Sequence, residues 1–285
     1  MTQIGRLNIG RDSSPKVMGI INVSPESFYK GSVKTTKKQI AVTALQMEKD
    51  GAHVIDIGAM STAPYLDTLI SEEQEASRLT SAIKVVKDSC GLAVSADTPR
   101  ARVAKAAIAA GADVINDVTG LHYDKSMAQV VAESGASVII CAYSRSQATG
   151  AISGTVNALK ESLRIARSAS IDGDVIIIDP SIGFFRPEGK NPFFTKMTDL
   201  PWYARDTQMI SGLGRLVAVL KKPVCISASR KSFIGYLLGL ESPDDRLAPS
   251  IACEIISTMH GANLIRTHNV RETVQALTMF HLLSS

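Results

Sequence analysis

Residues 95–120 read SADTPRARVAKAAIAAGADVINDVTG, and the fold is decided here. The apolar run Leu92–Ala96 predicts a buried strand that stops on the polar pair Asp97-Thr98. Arg100–Ala110 is built from strong helix formers. Gly111-Ala112 closes that helix, because glycine just past a helix end accepts the left-handed conformation. A second strand, Val114–Asn116, follows at once and stops on Asn116-Asp117. Strand, helix, Gly-Ala step and strand make one unit of a parallel α/β fold.

The same unit repeats on both sides. Further strands are expected at Val17–Ile21, Val54–Ile57, Ser137–Cys141, Val175–Asp179, Val224–Ile226 and Leu264–Thr267. Helical stretches are expected at Thr36–Asp50, Ser71–Ser89, Lys125–Ser134, Val156–Ile171, Trp202–Val219, Lys231–Gly261 in two pieces, and Val270–His281. Gly51-Ala52, Gly135-Ala136 and Gly261-Ala262 repeat the helix-closing step. Eight strands, each followed by a helical region, predict a (β/α)8 TIM barrel, with residues 1–285 forming one domain. The strand-to-helix loops Asn22–Thr35, Gly58–Ile70 and Pro180–Leu200 are long, as ligand-contacting loops are.

Composition narrows the function. With 45% hydrophobic residues in 285 positions, a large core forms without difficulty. Thirty-one basic against 27 acidic residues, a net charge of +4, is too balanced for a nucleic-acid binder, and no basic tract is present. Cys90, Cys141, Cys225 and Cys253 are far apart and read as buried thiols, without metal or redox spacing. Met1–Lys16 lacks an apolar signal region and no run is long enough to span a bilayer, so a cytoplasmic setting without membrane contact is expected. Gly183-FFRPE-Gly189-Lys190-Asn191 has five residues between its glycines and no Ser or Thr after its lysine, which excludes a P-loop. His53, His122, His260 and His281 fit no metal spacing.

The strand ends carry the chemistry. Asn22, Asp56, Asp97, Asn116, Asp117, Asp179, Ser229-Arg230-Lys231, Arg266 and His268 all fall at or near the ends of strands. A lone buried acid or amide costs several kcal/mol, and barrel active sites sit at this face. Taken singly, Asn116 or Asp117 can cap the next helix, and Asp56 can be a structural acid. Together, Asp56, Asp97 and Asp179 with Asn116 and Lys231 suit a flat heterocycle with several N–H donors and one carbonyl. Asn22, Arg266 and His268 form a more anion-seeking group: Arg266 for a phosphate, Asn22 for the shell of a hard metal ion.

In order, MGIINVSPESF, GAHVIDIGAMST, SADTPRARVAKAAIAAGADVINDVTG, IIIDPSIGF, SRKSFIG and IRTHNV resemble the dihydropteroate synthase family of pterin-binding barrels, from about Val17 to the C-terminus. The resemblance implies a transferase, of the EC 2.5.1 type, in folate-type biosynthesis. Such an enzyme joins 6-hydroxymethyl-7,8-dihydropterin pyrophosphate to an arylamine and releases pyrophosphate, with Mg²⁺. It also implies a homodimer. Carried over by motif, Asp56, Asp97, Asn116, Asp179 and Lys231 are the pterin pocket, and Asn22, Arg266 and His268 hold pyrophosphate, Asn22 also the metal. Phe28, Thr62, Pro64 and Ser232 are the arylamine side. Asp97, Lys231 and Arg266 are the catalytic set, for a displacement in which pyrophosphate leaves first and Asp97 stabilises the resulting cation.

The chain departs from the family pattern at four places. The loop usually reading STRP has Ala63 in place of arginine. Strand five runs into Cys141-Ala142-Tyr143 where the family has Met-His. Ser181 stands at the first glycine of DPGxGF, and Phe185-Arg186 replaces a following lysine. His268-Asn269-Val270 replaces HDV. These changes leave the arylamine open between para-aminobenzoate and a ribosylated aminobenzene of the methanopterin type, whose phosphate Arg186, Arg145 or Arg100 would meet. Two rival functions share the pterin acids: a methyltransferase passing a methyl group from a reduced pterin to a corrinoid protein, and a non-catalytic pterin-binding homologue.

Overall fold

A computed structural model describes residues 2–4, 7–10, 14–27 and 29–284. Eight parallel strands form its centre: β1 (Lys16–Asn22), β2 (Val54–Gly58), β3 (Ala93–Asp97), β4 (Val114–Asp117), β5 (Ser137–Cys141), β6 (Ile176–Asp179), β7 (Cys225–Ile226) and β8 (Leu264–Thr267). Their order is β7-β8-β1-β2-β3-β4-β5-β6. A bridge between Ile178 and Val224, with Ile178 N donating to Pro223 O at 3.0 Å, joins β6 to β7 and closes the ring. The fold is the expected TIM barrel, with strand bounds within two residues of the sequence reading.

Ten helices wrap the barrel among the described residues: α1 (Lys37–Lys49), α2 (Glu72–Ser89), α3 (Ala101–Ala109), α4 (Met127–Ser134), α5 (Ala151–Ser168), α6 (Trp202–Ser211), α7 (Leu213–Leu220), α8 (Ser232–Leu238), α9 (Leu247–Met259) and α10 (Val270–Ser284). Thr36 starts α1 with a capping box to Gln39, and Ser71 caps α2 through Gln74 N. Gly111 (φ +108°) and Gly261 (φ +98°) end their helices in the conformation expected of them. The helix expected over Trp202–Val219 is instead two, broken at Gly212. A Cβ there would sit 2.8 Å from Ile152 Cδ1 and 2.9 Å from the carbonyl oxygen of Gln208, so a larger residue would make the α5 side chain and the α6 backbone give way.

Strand parity sorts the core. Outward-facing Val17, Ile21, Ile55, Ile57, Val94, Ile115, Val138 and Ile178 pack with helix residues such as Leu79, Ile83, Val103 and Leu159. Inward, the lower barrel holds Met18, Val54, Val114, Ile139, Ile177 and Leu264. They are closed from below by an antiparallel hairpin, Thr2–Ile4 with Leu7–Ile9, whose Ile4 and Ile9 are fully buried. Ser137 Oγ donates to Gln3 O and Thr2 Oγ1 to Ile176 O, pinning the hairpin to the barrel. Three-residue strands are too short to register as periodicity, so the sequence reading missed this plug. The barrel is therefore apolar below and polar above. No helix of the described residues is long and apolar enough to cross a membrane.

Candidate active site

The parity that fills the floor with apolar side chains places the polar ones above it. Register sets Asn22 opposite Gly58, Gly58 opposite Asp97, and Asp97 opposite Asn116. Asn22, Asp97, Asn116, Asp179, Lys231, Arg266 and His268 all line one cavity at the C-terminal end of the strands, with Thr62, Pro64 and Ser232 toward its loops. Phe28 lies outside the described residues.

Arg266 stands in the middle of this set. Its Nε donates to Asp56 Oδ2 at 2.7 Å and its Nη2 to Asp97 Oδ2 at 2.9 Å, and Nη1 lies 3.4 Å from Ser227 Oγ. The acids and the arginine, assigned to separate groups in the sequence reading, are one cluster. Asp56 is fully buried beneath Arg266 and lies outside the cavity wall. Ser95 Oγ donates to Asp56 Oδ1 at 2.5 Å, and Asn116 Nδ2 comes within 3.4 Å of Oδ2.

The electrostatics follow from burial and from one cation shared by two acids. The Asp97 carboxyl is raised to about 7, by burial first and by repulsion from Asp56, against the pull of Arg266. Burial weakens the Arg266 charge, but Asp56 and Asp97 outweigh it and hold the guanidinium protonated. Burial lowers Lys231 to about 8, helped by the Arg266 charge and opposed by Asp179 and Asp206. Asp179 is raised by burial against the pull of Ser181 N, Lys231 and Arg266. His268 is held well below its usual range by burial and by Arg266, Arg230 and Lys231, so its ring is neutral.

The expected Mg²⁺ at Asn22 is overturned. Among the described residues no group of three or more His, Cys, Asp or Glu could hold a metal ion. Asn22 Nδ2 donates to Ser32 Oγ at 2.7 Å, and across Gly58 the oxygen of Asp97 belongs to Arg266. An amide beside a carboxylate already paired to a cation is a poor donor set for a hard dication.

The loop after β6, expected to contact a ligand only as a long loop, supplies wall residues that were not named individually. Ser181, Ile182, Gly183 and Phe184 line the cavity, and Lys231 Nζ sits 4.5 Å from the centre of the Phe184 ring. A buried pair on α6 holds this loop from behind. Arg205 donates to Pro180 O (2.6 Å) and Ser181 O (3.1 Å), and Asp206 Oδ1 accepts from Gly183 N (3.1 Å). The signal was faint, because Arg-Asp within a helix reads as a solvated face. Asp117, open between site and cap, turns into the wall and accepts from Thr119 N and Leu121 N.

Of the three arginines suggested for a phosphate, only Arg186 lines the cavity. It donates to Ser232 Oγ at 2.7 Å and lies 3.8 Å over the Trp202 ring. Arg100 is buried against Glu75, and Arg145 is bonded to His122 O. Ala63 O accepts from Asn191 Nδ2 and Pro64 O from Lys190 N, each at 2.7 Å, so the two long loops are tied together.

A closed α/β barrel whose acids, amide and cations converge above an apolar floor is a small-molecule enzyme scaffold. The model for the family described as "Pterin binding enzyme" matches residues 18–268. The dihydropteroate synthase of Bacillus subtilis is 34% identical over 265 residues, covering 92% of this chain and 86% of that protein. Among solved structures, the Xanthomonas albilineans dihydropteroate synthase with 4-aminobenzoic acid has a TM-score of 0.82 at 32% identity, covering 96% of this chain and 94% of that one. The same enzyme in complex with 7,8-dihydropteroate gives 0.81 at 32%, covering 96% and 95%. The chain belongs to the dihydropteroate synthase family of pterin-binding enzymes, and its chemistry is of the transferase type.

Proposed function

We propose that the cavity binds 6-hydroxymethyl-7,8-dihydropterin diphosphate and passes its pterinylmethyl group to an arylamine nitrogen. The observation that carries this reading is Arg266 shared between Asp56 and Asp97 above a sealed floor, with Asp179 and Lys231 in the same cavity. Asp179 and Asn116 accept from the amino-pyrimidine edge of the pterin, and Lys231 donates to its carbonyl. Asp56 acts from below by holding Arg266. Each charge-assisted contact is worth about 1.5–3 kcal/mol. Asn22, His268 and the Nη1 side of Arg266 receive the diphosphate.

The methylene C–O bond breaks first, and the bonding pair leaves with the diphosphate. The positive charge left on the methylene spreads into the pterin ring. Asp97, in its ionised form paired with Arg266, stabilises it in a site of low dielectric. The amine nitrogen then attacks the methylene, and its proton passes to the released diphosphate or to water. Thr62, Pro64 and Ser232 flank the amine's approach, with Arg186 beside Ser232.

Para-aminobenzoate is the first reading for the amine. A ribosylated aminobenzene phosphate is the second, favoured by a groove beyond Arg186 that is lined by Tyr65, Glu188, Lys190 and Trp202. An assay of diphosphate release with both amines separates them. Turnover with para-aminobenzoate alone removes the second, and pterin binding without release under either amine removes the transferase reading.

The chain works as one pterin-binding domain in the cytoplasm, and as a homodimer. Met259, Met279, Leu282 and Leu283 on α9 and α10 are more than half exposed, which suits burial against a second copy. Sedimentation at micromolar concentration tests this: a mass of one chain contradicts it.

A further inference from the structure

Behind His268 a chain of buried hydroxyls runs from the cavity into the helical layer. His268 Nδ1 lies 3.1 Å from Ser229 Oγ, and Ser229 Oγ lies 3.5 Å from Thr267 Oγ1. Thr267 Oγ1 is 3.1 Å from Thr273 Oγ1, and Thr273 Oγ1 is 2.8 Å from Glu254 Oε2. Ser229, Thr267, Thr273 and Glu254 are each at most 1% exposed. Glu254 forms no salt bridge among the described residues, and its Oε1 has no hydrogen-bond partner there. A carboxyl group buried inside α9 without an ion pair is costly, and an apolar side chain would fill its place at less cost.

We propose that Glu254 is a positioning residue for His268: the hydroxyl chain between them decides which ring nitrogen carries the proton. A neutral imidazole has one N–H and one acceptor nitrogen. An ionised Glu254 only accepts, so every proton in the chain points toward it. Thr273 donates to Glu254, Thr267 to Thr273, Ser229 to Thr267, and His268 Nδ1–H to Ser229. Nε2 is then an acceptor, which repels an anion. When Glu254 is neutral the chain reverses. One proton enters at Nε2 from the cavity, Nδ1 gives its proton to Ser229, each hydroxyl passes its own along, and Glu254 ends protonated. Nε2–H is then a donor suited to a diphosphate oxygen.

The surroundings permit both states. Arg230, whose guanidinium is bonded to Asn269 Oδ1 and to the carbonyls of Pro243 and Asp244, is the charged group acting on Glu254. From β8 and α10 come the hydroxyls of Thr267 and Thr273, and Cys253 adjoins it on its own helix. Burial raises Glu254 to about 7, against Thr273, Thr267 and Arg230. His268 stays neutral, so the switch is between tautomers.

The benefit to diphosphate rests on the proposed function; the tautomer does not, so two readouts keep them apart. Nitrogen-15 spectra of the histidine side chains between about pH 6 and pH 8.5 should show His268 passing from Nε2–H to Nδ1–H in the wild type. In Glu254→Gln, and in Thr267→Val where the chain is cut, the tautomer should not change with pH. Calorimetry with inorganic diphosphate should show the affinity ratio of wild type to Glu254→Gln falling about tenfold over that range. The same tautomer change in either variant, or none in the wild type, overturns the proposal. A tautomer change in the wild type without any diphosphate binding supports the positioning role and overturns the diphosphate reading instead.

Discussion

Ser181 has φ of +58°, in the left-handed region, and its hydroxyl is buried without a hydrogen-bond partner among the described residues. Both features cost stability, the backbone alone about 1–2 kcal/mol. Ser181→Gly should therefore raise unfolding stability by about 1 kcal/mol after glycine's own entropy cost, measured by urea denaturation. An unchanged or lower midpoint would mean that the serine is not strained. Lys231 shows the opposite balance of stability and function. Its folded pKa of about 8 lies below the ordinary 10.5. Below about pH 8 both folded and unfolded chains carry the charge, and the folded one bears the burial cost. Between those values the folded chain has released a proton that the unfolded chain keeps, so stability rises with pH. Lys231→Met should thus melt above wild type near pH 7, lose that advantage toward about pH 10, and bind dihydropterin more weakly. At this scale most of the candidate cavity lining was legible, because Asp97, Asn116, Asp179 and Arg266 are polar where strand parity points inward. The grip of Arg266 on Asp56 was not legible. It depends on how β8, β1 and β2 stand beside one another across the chain, which no local pattern encodes.

The loop after β6 shows how an element is shaped from outside itself. Arg205 and Asp206 are wholly buried, 3.1 Å apart, and bind the backbone of Pro180, Ser181 and Gly183. Asp206→Ala leaves Arg205 as a buried charge with no acid, which should cost about 3–5 kcal/mol in urea denaturation. It should also blunt dihydropterin affinity, since Asp206 supports the Lys231 charge. A loss below about 1 kcal/mol would show that the pair is not what holds the loop. Helix ends were readable here because Gly111, Gly135 and Gly261 carry their own conformational demand. The break at Gly212 was hidden, since a single glycine inside a run of helix formers is compatible with one continuous helix. The magnesium expectation failed for a similar reason: Asn22 is an oxygen donor by type, but its neighbours decide its partners.

Across the whole molecule the barrel interior is divided. Ile4 and Ile9 of the hairpin seal the floor, while the acids and cations meet above it. Ile9→Ala should cost about 2–5 kcal/mol of stability, with little change in KM or kcat at temperatures where the protein stays folded. A large kinetic defect in the folded protein would mean that floor and site are coupled. The upper half is proposed to transfer a pterinylmethyl group through a cation stabilised by Asp97. The most direct test of this transfer is the steady-state release of diphosphate from 6-hydroxymethyl-7,8-dihydropterin diphosphate, for wild type and Asp97→Asn side by side. Amine-dependent release is expected of the wild type. For Asp97→Asn kcat should fall by roughly a hundredfold or more, with KM nearly unchanged. No amine-dependent release by the wild type, or a variant whose loss lies wholly in KM, would contradict it.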